Sequence, residues 1–229
     1  MKKFLALATL AAVSTVPSFA QTIATWTFET TSASITGSST TLSGINADVG
    51  SGTASEVHAG TATFSSPAGN GSAHSLSATA WAVGDYAQFQ FSTTGVHGLS
   101  LSFDQTSSNT GPGHYNLSYS LDGGANFTGI GSYSVFANAS PNPTWNATTA
   151  SSLYTSTFNL GSAIDDSSSV LVRLTVADTV SANGGTLLSG GTDRIDNFSV
   201  FATPVPEPSI AALGVLGGLV GLVAWKRKK

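Results

Sequence analysis

The chain of 229 residues has no cysteine, one methionine and only eight basic side chains. The missing cysteine removes disulfides, thiolate nucleophiles and cysteine-ligated zinc together. The shortage of bases is sharper than the total suggests, because six of the eight lie at the two ends: Lys2, Lys3, Lys226, Arg227, Lys228 and Lys229. Between residues 21 and 204 only Arg173 and Arg194 face eleven acids, a formal charge of −9. Phosphate backbones repel such a body, which argues against nucleic acid as a partner. That same stretch shows no convincing helical period. It also holds no Gly-x-Ser-x-Gly elbow, Walker loop or dinucleotide fingerprint. His58, His74, His97 and His114 are scattered, with no pair at metal-binding spacing, and read as exposed loop or strand-end residues.

What is abundant is small and hydroxylated: 35 serines, 29 threonines and 25 glycines. Within that background, apolar residues alternate with polar ones. Ala24, Trp26 and Phe28 form one such set; Ala87, Phe89 and Phe91 another; Leu99, Leu101 and Phe103 a third. Tyr115, Leu117, Tyr119 and Leu121 follow, then Val170, Val172, Leu174 and Val176, and finally Phe198 and Val200. Period-two alternation bounded by Gly, Asn, Asp and Pro marks half-buried strands facing one core. Short strands spaced this way predict an all-β chain, a single antiparallel β-sandwich or jelly roll over residues 21–201. The low-complexity segments 30–55 and 137–152 read as long surface loops or irregular edge strands.

The two ends carry an address. Residues 1–20 have a basic start, a short apolar run from Phe4 to Val16, a helix-breaking Pro17, and small residues before a cut between Ala20 and Gln21. This is the pattern of a secretory signal peptide. At the other end, residues 202–208 form a Pro-rich linker and residues 209–225 an uncharged apolar stretch, long enough for a short transmembrane helix. The basic tail 226–229 would stay cytoplasmic and leave the body outside. Val205-Pro206-Glu207-Pro208-Ser209, the apolar stretch and Lys226-Arg227-Lys228-Lys229 together resemble the PEP-CTERM sorting signal. The resemblance covers about 25 residues and implies export, transient arrest in the inner membrane, and processing by an exosortase after signal peptidase. It further implies a destination at the cell surface or in an exopolysaccharide matrix.

Two resemblances concern the body. Ser120-Leu121-Asp122-Gly123-Gly124-Ala125-Asn126-Phe127 is similar to an Asp box, a structural hairpin in which the final aromatic is expected to plug onto the core. Trp26-Thr27-Phe28-Glu29 and Arg194-Ile195-Asp196-Asn197-Phe198 resemble the terminal strands of jelly-roll carbohydrate-binding modules. That resemblance implies Glu29 and Asp196 as ligands of a structural calcium, the only cofactor expected. Trp81 and Trp145, set in polar loops, are the candidates for stacking on a sugar ring. The expectation is a surface or matrix protein that is not an enzyme, structural or adhesive in role. A carbohydrate-binding module for exopolysaccharide is the alternative, ahead of a glycan hydrolase, for which no pair of acids can be nominated.

Overall fold

A computed structural model describes Ala20–Thr203. The segment expected to be a signal peptide, up to residue 19, and the chain from 204 onward with its Pro-Glu-Pro motif, apolar stretch and basic tail, lie outside the described residues. Among the described residues no helix is long and apolar enough to cross a membrane.

The alternating segments are strands. In chain order they are β1 Gln21–Trp26, β2 Gly37–Asn46, β3 Val49–Gly50, β4 Gly52–Ser65, β5 Leu76–Ala78 and β6 Tyr86–Phe91. They continue with β7 His97–Ser107, β8 His114–Ser120, β9 Thr128–Ser134, β10 Thr155–Gly161, β11 Val170–Val176 and β12 Asp193–Thr203. Helical structure among the described residues is limited to three single 3-10 turns. All strand ladders are antiparallel, and they form two arms. One runs β10-β7-β12-β1-β3 and the other β2-β4-β6-β11-β8-β9; the short β5 pairs with both β12 and β4 and joins them.

The arms close face to face over an aromatic core. Phe89 of β6 stacks on Phe198 of β12 with ring centroids 3.6 Å apart, and Trp26 of β1 meets both edge-on at 5.2 and 5.8 Å. Tyr133 of β9 meets Phe103 of β7 at 5.4 Å. Inward residues of both arms thus interdigitate, the arrangement of a β-sandwich.

Of the two readings of the 30–55 segment the irregular edge strand holds: β2 lies there and pairs only with β4, through two register breaks. Two other expectations shift. β12 runs to Thr203, two residues into the stretch read as linker, because Ala202 is buried and pairs with both Gln21 and Leu99. His58 is buried on β4, under Trp81 at 4.4 Å, and so is not the exposed residue expected.

Candidate functional site

Strand alternation turns Tyr86, Gln88 and Gln90 of β6 away from the core while Ala87, Phe89 and Phe91 enter it. On β11 the same rule turns Arg173 and Thr175 outward, and pairing sets Arg173 opposite Gln88 on one side and Ser118 of β8 on the other. The outer face of this arm is therefore built of amides and hydroxyls around one cation. The arginine is fixed in place. Its guanidinium carbon lies 3.8 Å from the centre of the Tyr86 ring and 3.9 Å from that of Phe127, and its Nε–H donates to Gln88 Oε1 at 2.8 Å. Both rings are in van der Waals contact with the cation, the geometry of cation–π pairing. Partial burial lowers its pKa from the usual value.

Phe127 reaches Arg173 because of the Asp-box hairpin that links β8 to β9. Asp122 Oδ1 accepts from Ser120 Oγ at 2.7 Å and from the Asn126 amide at 3.0 Å, and Oδ2 accepts from Asn126 Nδ2 at 2.8 Å. Gly123 and Gly124, at φ +74° and +93°, supply the left-handed turn. These donors, the Asn126 N–H foremost, hold the Asp122 carboxyl well below the usual range. The hairpin is as the motif implies, but its aromatic does not plug the core: half-buried Phe127 covers Arg173 on the outer face.

Beyond Gln90 the face opens into a cleft of about 610 Å³ whose lining includes Gly52, Thr53, Gln90, Ser168 and Ser169. Gln90 Nε2 donates to Ser169 Oγ at 3.1 Å across it. Gly52 is required at its floor, since a Cβ there would lie 2.7 Å from the Trp26 ring. No titratable side chain lines the cleft.

The predicted stacking residues lie elsewhere. Trp81 and Trp145 are each only 3 % exposed, and each indole N–H donates to a carbonyl, of Ala78 at 3.0 Å and Ala68 at 2.7 Å. Neither presents a ring to a sugar; both anchor loops, as a buried indole with a satisfied N–H does.

Glu29 and Asp196 are brought to one loop, 66–75, as acceptors of hydrogen bonds. Glu29 Oε1 accepts from the His74 amide at 2.8 Å. Asp196 Oδ2 accepts from the Asn70 amide at 2.8 Å and Ser72 Oγ at 2.6 Å, and Oδ1 from the Asn197 amide at 2.8 Å. A Cβ at Gly69 would collide with Asp196 Oδ2. Calcium needs six to eight oxygens turned inward, whereas this loop turns N–H and O–H groups toward the carboxylate. Among the described residues no three His, Asp or Glu side chains converge as a metal cluster.

A buried polar cluster went unseen in the sequence. Glu56 and His58 of β4 point into the sandwich with Asp85, their closest atoms 3.4 Å apart on each side of the imidazole. Nearby in the interior, Asp193 accepts from Gln105 and Ser107. The available signal was parity: Glu56 and His58 alternate in phase with Ala54 on one strand.

No family model matches the chain, and no curated protein matches it. Among solved structures it is similar to a cleaved adhesin domain of Lys-gingipain from Porphyromonas gingivalis (17 % identity, 60 % of this chain and 78 % of that one, TM-score 0.38). It is also similar to a carbohydrate-binding module from Cellvibrio mixtus lichenase 5A, solved in complex with cellotriose (14 % identity, 81 % of this chain and 100 % of that one, TM-score 0.34).

Proposed function

We propose that this chain is an exported, non-catalytic surface or matrix protein whose β-sandwich adheres to polysaccharide through the outer face of β6, β11 and β8. The observation that carries this reading is the ring-clamped Arg173 set among Gln88, Gln90 and Ser118, continuous with an open cleft. Amides, hydroxyls and half-exposed aromatic edges match the hydroxyls and apolar faces of sugars. A cleft without titratable groups favours binding over turnover, since hydrolysis of a glycosidic bond ordinarily needs two facing carboxyls.

The address belongs to the same proposal. Signal peptidase cuts after Ala20, an exosortase acts at Val205-Pro206-Glu207-Pro208-Ser209, and the domain leaves the inner membrane for the surface or matrix. In support, β1 begins at Gln21, so the proposed cut spares every described strand. Intact mass of the protein recovered from the envelope and from the medium tests the address: a chain from Gln21 to the 206–209 region is expected, and one still ending at Lys229 would refute sorting. Retardation in native gels cast with polysaccharides tests adhesion; migration unchanged by every glycan would refute it.

A further inference from the structure

Resting on the adhesive reading of this face, we infer that it takes a saccharide bearing a carboxylate, a uronate-type residue, with the free edge of the Arg173 guanidinium as the contact. Two cations serve the described body, and they differ. Arg194 is adjacent to buried Asp193 and half-buried, and no ring clamps it among the described residues. Neither arginine has a carboxylate within ion-pairing distance among the described residues, although acids outnumber arginines there by eleven to two; what sets Arg173 apart is that two rings and Gln88 fix it on the outer face.

Its donors are divided. Nε is engaged by Gln88, the two faces by Tyr86 and Phe127, and the Nη groups make no hydrogen bond within the described fold. Nor are they among its buried unpartnered atoms, so they meet solvent. A planar fork whose faces and one edge are already held has a single free direction. That direction suits the two oxygens of a carboxylate, which a guanidinium binds bidentately.

No outward position of β6, β11 or β8 carries an acid that could fill this place internally. The ligand must also tolerate the charge of −9. A densely charged polyanion is repelled at low salt, whereas a chain with widely spaced carboxylates, neutral sugar between them, is not. Gln88, Gln90 and Ser118 flank the arginine where those neutral sugars would lie.

The test is affinity electrophoresis of the full-length protein in gels containing xanthan, and in gels containing xanthan whose carboxyls have been reduced to alcohols. Expected is retardation by native xanthan, lost on reduction, and weakened about tenfold or more by Arg173→Gln. Arg173→Lys, which keeps the charge without the fork, should restore only part of it. Phe127→Ala, which removes one face of the clamp from a hairpin outside the core, should weaken retardation while the cooperative melt is kept. Equal retardation by native and reduced xanthan would overturn the carboxylate inference while leaving the adhesive reading intact. Retardation by neither, with other glycans equally inert, would overturn both.

Discussion

Ser107 has one hydroxyl proton and two acceptors within reach, the Pro112 carbonyl at 2.8 Å and Asp193 Oδ2 at 2.7 Å. With Asp193 ionised, Oδ2 accepts and the one proton is shared between the two; with Asp193 protonated on Oδ2, the carboxylic O–H donates to Ser107 and frees the hydroxyl proton for Pro112. Burial pushes the Asp193 carboxyl up from 3.8 to about 7, against the lowering effect of its Gln105 and Ser107 contacts, with buried Glu56 nearby pushing the same way. The sign follows from proton linkage. Between about pH 4 and pH 7 the folded chain holds a proton that the unfolded chain has released, so stability is greatest at the acid end and falls as pH rises. For a shift of this size the loss is on the order of 4 kcal/mol. Burial raises the Glu56 carboxyl too, and adds to the slope in the same direction. Asp193→Asn places an amide N–H where the carboxylic proton would sit and keeps an oxygen for Gln105. Thermal melts between about pH 4 and pH 8 should show a flatter curve for the variant, with the gain largest at the alkaline end. Parallel curves would mean that Asp193 does not titrate in this range.

At the scale of elements, the 66–75 loop is held by two carboxylates from opposite ends of the chain, Glu29 after β1 and Asp196 within β12. Because the loop offers donors to both, millimolar calcium against chelator should move the melting temperature by less than about 2 °C, below what 1 kcal/mol gives a domain of this size. A larger upward shift would show that the loop can turn its carbonyls inward around the ion. The same elements show what was legible beforehand. β6, β8 and β11 stand out because Phe89, Tyr115, Leu117, Val172 and Leu174 contrast with amides and hydroxyls between them. β4 does not: its inward residues include Ala54, Glu56 and His58, whose burial rests on tertiary partners rather than on hydropathy. β9 is hidden for another reason, since Gly129 and Gly131 break the apolar contrast on an edge strand that is largely exposed. The candidate site shared that fate in part. Arg173 was conspicuous by rarity, but its clamp joins residues 46 and 87 positions away, and no local pattern encodes that meeting. Polar neighbours in sequence do not expose Trp81 and Trp145, because His58 packs on one indole and the Ala68 carbonyl and Tyr154 meet the other.

Across the whole molecule, closure depends on the last strand reaching the first. β12 pairs with β7, β1 and β5, and its register sets Phe198 against Trp26 and Ala202 against Gln21. Phe198 also stacks on Phe89 of the opposite arm, so one segment both completes a sheet and seals it to the other. Removing a single such ring costs about 3–5 kcal/mol, a large share of the 5–15 kcal/mol that holds a typical domain folded. A chain of residues 21–203 retains every described strand and should melt in one cooperative transition near the temperature of the unprocessed protein. A chain of residues 21–197 loses Phe198, Val200 and Ala202, all buried, and with them most of the β1 pairing. It should show no cooperative melt and should expose apolar surface to a hydrophobic dye. Cooperative melting of the shorter chain at the same temperature would mean that the arms are held by β5 and the β6–β11 side alone. Proteolytic trimming of the tail is therefore safe for the fold only beyond Thr203, a boundary that the 206–209 region respects and that a cut within β12 would not.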